Sequence, residues 1–165
     1  MRKLSLIIMC SMSMYTMSQS ENQSKDLTLK SFSFSPEIFV FDEYSGGFSV
    51  SGDLSFSSKK NIFTFSATVG EEYVVWGSAD NFQQINLLFG REFKLIKRFF
   101  IEGHTGIGFL FYNTYNGHFS EIGVPIALKL RFKTKAKFSI GLKLQTCINS
   151  FDNIFSGGLL LQWNY

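Results

Sequence analysis

Proline, cysteine and histidine are scarce in this chain, with 2 of each in 165 residues. Charged residues make up only 18%, and the formal net charge is +3. Each shortage excludes a class of protein. Cys10 lies in an N-terminal segment with the marks of a removable leader, so Cys147 is the one thiol left and no intrachain disulfide can form. A disulfide-stapled secreted fold is therefore excluded. No second histidine or cysteine is spaced to complete a metal site, so neither a metal nor a cofactor is expected. The few bases form no cluster large enough for nucleic acid. The apolar N-terminal stretch, Leu4–Met9 with serines diluting it as far as Met17, is too short to cross a bilayer as a helix.

Aromatic residues, in contrast, reach 17%, with 20 phenylalanines. Phenylalanine, serine and glycine in excess favour strands and turns. The first twenty residues have the three parts of a secretory signal: Arg2 and Lys3, then the apolar stretch, then Ser18-Gln19-Ser20 as small residues for cleavage. The domain reading is a signal peptide over 1–20, a polar lead-in over 21–28 and one β-domain over 29–165.

Eight period-two runs follow: Leu29–Phe41, Phe48–Ser57, Ile62–Gly70, Phe82–Arg91, Phe99–Tyr112, Ser120–Phe132, Phe138–Ile148 and Phe155–Tyr165. No helical period competes with them. The connections alternate. "SSKKN" and "KTKAK" are short and basic, and "EFKLIKR" is of middling length. "EEYVVWGSADN", "NTYNGHF" and "NSFDNI" are richer in asparagine, glycine and aromatics. The pattern predicts an all-β fold: a closed, antiparallel, eight-stranded up-and-down transmembrane barrel.

The two faces of each run decide the orientation. One face is apolar, as in Phe138, Ile140, Leu142, Leu144 and Ile148. The other holds small polar groups such as Ser49, Ser51, Ser66, Gly106, Gly108 and Gln145. A water-facing coat needs far more charge than this, whereas small residues suit the cramped lumen of an eight-stranded barrel. The apolar face is therefore assigned to lipid. Glu37, Asp53 and Glu102 on the small face balance Lys129, Arg131 and Lys143, and burial would force them to pair. They are expected to form a polar plug. His104 is read as a packed, hydrogen-bonded lumen residue and Cys147 as structural. Pro125 is expected to mark a bulge or a loosened sheet near the loop end of its strand.

With these features the chain resembles the small outer-membrane β-barrel proteins of Gram-negative bacteria. Its last residues, "GGLLLQWNY", look like the C-terminal assembly signal of that class, although the glycine spacing fits Trp163 better than Tyr165 as the final aromatic. The resemblance implies insertion by the outer-membrane assembly machinery. It also implies lipid and lipopolysaccharide as surroundings, with any extracellular ligand left unspecified. Trp163 and Tyr165 are expected at the periplasmic interface, and Tyr112 and Tyr115 at the opposite one. Loops carrying Tyr73, Trp76, Tyr115 and Phe151 would form the contact surface.

One stretch, "GHFSE", suggests chemistry. His118 and Ser120 sit two apart and so share a face of an extended segment. The pair is similar to the His-x-Ser of outer-membrane lipid A deacylases, which would make Ser120 the nucleophile and His118 its base. Glu121 stands where that pattern has asparagine, and Asp152 is the nearest loop carboxylate. Three readings follow: a non-catalytic structural or surface barrel, a lipid A deacylase-like hydrolase, and a soluble lipocalin-like carrier with the faces inverted.

Overall fold

The computed structural model describes residues 27–41, 45–73, 79–114, 117–150 and 153–165. The leader and most of the lead-in, with Trp76, Tyr115, Phe151 and Asp152, lie outside the described residues. Eight strands run in order: β1 (Thr28–Phe41), β2 (Gly46–Ser58), β3 (Asn61–Glu72), β4 (Asn81–Ile96), β5 (Phe99–Thr114), β6 (Gly117–Lys133), β7 (Phe138–Ile148) and β8 (Ile154–Asn164). Each pairs with the next, and β1 pairs antiparallel with β8, so the barrel closes and no sheet edge is left.

One row of partners runs Val40, Phe155, Thr146, Ile126, Thr105, Phe89, Phe63, Phe56 and returns to β1 at Leu29, far along the strand from Val40. This stagger requires the strands to tilt, by about 35–45° in barrels of this kind. Both termini of the described chain lie at one end with the β2–β3, β4–β5 and β6–β7 turns, here named the turn end. The other connections define the loop end.

The period-two pattern maps directly onto inside and outside. In β7, Lys143 is buried while its neighbours Leu142 and Leu144 are exposed on the outer wall. Phe34, Leu54, Phe65, Leu87, Phe109 and Ile126 are likewise exposed outward, whereas Ser33, Asp53, Ser66, Asn86 and Lys129 are buried.

Several boundaries differ from the sequence reading. "EFKLIKR" is mostly strand, since β4 continues to Ile96 and only Lys97 and Arg98 form the turn. The reason is visible in the outward row, where Phe93 and Leu95 extend the apolar alternation past Arg91. Arg91 itself is held by a hydrogen bond from its Nε to Asn61 Oδ1 across the β3–β4 pair (3.2 Å). In the β2–β3 turn, Lys59 adopts the left-handed conformation, with φ of 57°.

Pro125 does not create a bulge. The β5–β6 ladder lapses between Thr105↔Ile126 and Gly108↔Gly123 and resumes in the same register. Pro36 behaves alike between Phe34↔Leu161 and Glu37↔Gly158. A proline lacks its donor toward one neighbour only, so the strand keeps its other ladder: Pro125 still faces Cys147 and Pro36 still faces Val50.

The lumen is not polar throughout. Near the loop end Phe39, Phe82, Leu110, Tyr112 and Ile154 form a buried apolar cluster, with Phe41 packed on it. The Phe39 and Phe82 rings meet edge to face at 4.9 Å, a favoured aromatic geometry. Gly70 makes room for them, because a Cβ there would fall 2.3 Å from Phe82 Cε1. Tyr112 therefore requires a correction. It lies inside the barrel, packed on Phe41 and Phe82, and not at a membrane interface. The pleat decides this: Phe109 and Phe111 point outward, so Tyr112 points in.

Candidate functional site

The polar part of the lumen holds two ionic clusters, each built from strands far apart in sequence. In the first, Lys143 Nζ lies 3.3 Å from both Glu37 Oε1 and Asp53 Oδ1. It also donates to Ser51 Oγ (2.7 Å). Lys129 Nζ meets Asp53 Oδ2 at 2.8 Å. Serines complete the carboxylates' shells: Ser33 donates to Asp53, and Ser51 and Ser156 donate to Glu37. A buried ion pair survives desolvation only when its remaining lone pairs are also engaged, and short serines fit that task where a larger donor would not.

The second cluster lies nearer the turn end. Glu102 Oε1 is 2.7 Å from both Lys30 Nζ and Arg131 Nη2. Glu92 pairs with the same two bases, at 3.0 Å from Lys30 and in contact with Arg131. Arg131 Nη1 donates to Asn164 Oδ1 (3.2 Å), and Asn164 Nδ2 in turn donates to Ser139 Oγ (3.1 Å). The guanidinium also stacks 5.0 Å from the centroid of Phe100, so it is held by charge, hydrogen bond and ring face together.

The structure thus brings Glu37, Asp53, Lys129 and Lys143 together, and separates Glu102 and Arg131 into their own group. Sequence reading missed two members, Lys30 and Glu92. Glu92 carries the inward parity of β4 and is found once β4 is followed beyond Arg91. Lys30 is displaced by the bulge between Leu29 and Ser31, which breaks the alternation that would have signalled it. His104 is buried beside Gly90, where a Cβ would fall 2.4 Å from the imidazole Cδ2. Its expected hydrogen bond is not found: among the described residues neither ring nitrogen has a partner. Close packing against a glycine, not hydrogen bonding, positions this ring. Cys147 is buried and forms no disulfide among the described residues.

His118 and Ser120 are exposed on β6 near the loop end, opposite Asn113 and Phe111 of β5. His118 Nδ1 lies 2.6 Å from Asn113 Oδ1, so among the described residues an amide oxygen orients the imidazole. Glu121 accepts a hydrogen bond from Ser150 (2.8 Å). Among the described residues no three side chains of metal-binding type come together.

On the turn-end side of the outer wall, Trp163 packs between Phe32 and Phe138, with ring centroids 6.1 and 5.3 Å away. Tyr165 is exposed, and its backbone N–H donates to the Lys30 carbonyl (2.9 Å).

A closed, antiparallel, eight-stranded barrel is the architecture of the small outer-membrane β-barrel proteins. A solved structure of Ail, the attachment invasion locus protein of Yersinia pestis, matches with a TM-score of 0.55 at 13% identity, covering 86% of this chain and 99% of that one. Neisserial surface protein A matches with a TM-score of 0.63 at 7% identity, covering 86% and 100%. The outer membrane enzyme PagL matches with a TM-score of 0.54 at 14% identity, covering 79% and 98%. At the level of sequence no family model matches, and no curated protein does. The likeness is one of fold.

Proposed function

We propose that the protein is an integral outer-membrane barrel with a filled, non-conducting lumen, acting structurally or as a surface contact through its loop end. The observation that supports this most is the inversion seen in β7: Lys143 is buried at 0% exposure between Leu142 and Leu144, which are 50% and 49% exposed. In water such a wall would be one continuous apolar patch, far beyond what soluble proteins carry. In hydrocarbon it is at home, and the closed ladder satisfies the backbone. A lipocalin-like carrier needs the reverse, an apolar cavity within. Here ion pairs fill the middle of the lumen and aromatic rings close it toward the loops.

In this reading residues 1–20 direct export, the assembly machinery recognises β8, and exposed loop-end residues such as Tyr73 meet partners outside the cell. Membrane fractionation with heat-modifiable gel migration tests it. The folded chain should stay with the outer-membrane fraction and migrate faster before boiling. Recovery in the aqueous fraction without detergent would remove the reading.

A second reading, hydrolysis of a membrane lipid ester by Ser120 with His118 as base, is supported by one observation. The imidazole is fixed by Asn113 on the outer wall, where an acyl chain could approach Ser120. Comparing the folded protein with its Ser120→Ala variant on lipid A and phospholipid decides it. Acyl release by the first and none by the second would establish the hydrolase.

A further inference from the structure

The charges outside the lumen are segregated by end. The connections at the turn end, 59–60, 97–98 and 134–137, contain bases and no acid. The connections at the loop end, 42–45, 73–80, 115–116 and 149–153, contain no lysine or arginine. The strand ends follow suit. Lys94 is exposed beside the first set, while Glu71, Glu72 and Glu121 flank the second. Among the described residues Glu92 is the acidic side chain nearest the turns, and it is engaged by Lys30 and Arg131 and turned inward. Lys97, Arg98, Lys135 and Lys137 are all exposed, and none of these four takes part in the ion pairs among the described residues.

Solvation alone would be served by bases at either end, and it gives no reason for the sorting. The position of the rim does. The turns lie directly beyond the outward aromatics of the turn end, Phe93, Phe132, Phe138 and Trp163. Of these, Trp163 is the type of side chain that sits at headgroup depth, and a lysine one turn further out reaches the phosphate layer with its stem along the apolar wall. The bases also come from three separate hairpins spaced around the barrel, which suits a lipid annulus better than one face of a protein partner.

We propose that the turn end is a binding collar for anionic phospholipid headgroups, which it holds in the leaflet around the turns. The acidic loop end has no such affinity, so the collar also favours one direction of insertion. This rests on the membrane reading above.

The test uses the full barrel refolded into phosphatidylcholine vesicles with spin-labelled phosphatidylglycerol or spin-labelled phosphatidylcholine as probe. The motionally restricted fraction of each label reports occupancy of the annulus. The wild type should prefer phosphatidylglycerol by about threefold at low salt, and lose the preference near 1 M salt, where the screening length is about 3 Å. The Lys94→Gln/Lys97→Gln/Lys135→Gln/Lys137→Gln variant should fold with unchanged heat-modifiable migration and show no more than a residual preference. The matching Lys→Arg variant should retain it. A chain that inserts and holds both labels equally overturns the collar alone, as does a glutamine variant that keeps the preference. A chain that never enters vesicles overturns the membrane reading, and the collar with it.

Discussion

Lys129 and Asp53 meet inside the barrel at 2.8 Å, each with only 1% of its side chain exposed. They come from β6 and β2, and Asp53 also holds Lys143. This shared carboxylate ties three strands through one residue. Removing it therefore strands Lys129 and leaves Lys143 only Glu37, whereas removing either lysine leaves Asp53 with a partner.

An order of effects follows. Asp53→Ala should destabilise the barrel by about 3–5 kcal/mol, the cost of leaving buried charge unpaired. Lys129→Met should cost less, because Lys143 still compensates Asp53. Urea unfolding in lipid vesicles, followed by tryptophan fluorescence, would check the ranking. Equal midpoints for the two variants would show the cluster to be hydrated rather than dry.

The second ionic cluster should behave unequally as well. Glu102 is 1% exposed and Glu92 is 29% exposed, although both contact Lys30 and Arg131. Glu92→Gln should shift stability by less than about 1 kcal/mol, as for solvent-screened pairs. Glu102→Gln should cost severalfold more in the same unfolding assay.

Gly70 sets the fit of the aromatic closure. Gly70→Ala places a methyl group against Phe82 and Phe39 and should destabilise by about 1–3 kcal/mol through overpacking. Adding Phe82→Leu should recover part of the loss, since the obstructing ring is then gone. The temperature at which the compact gel form disappears measures both.

Spin labels distinguish wall from lumen. A label at Leu142 should be relaxed by oxygen, which partitions into acyl chains, and little affected by a water-soluble nickel chelate. Leu142→Arg at this mid-wall position should cost about 2–4 kcal/mol, the penalty for a guanidinium facing hydrocarbon. A label that reports strong nickel contact would place this wall in water.

The number of strands, the alternation of their faces and the sorting of charge between turns and loops are all local features, and the sequence by itself determined them. A period of two needs only neighbouring residues to declare itself, and a turn announces itself by its own composition. Reading β4 too short cost Glu92, and placing Tyr112 at an interface ran against the inward parity of its own run, although both signals were present in the alternation. What only the tertiary structure decided was partnership. The stagger of the closed barrel determines that Lys143 meets Glu37 and Asp53 while Arg131 joins Lys30 and Glu92. A bulge brings Lys30 into that group, and a missing Cβ at Gly70 lets two rings close the lumen. Register, tilt and ring packing depend on closure of all eight strands at once, and no single segment carries that information.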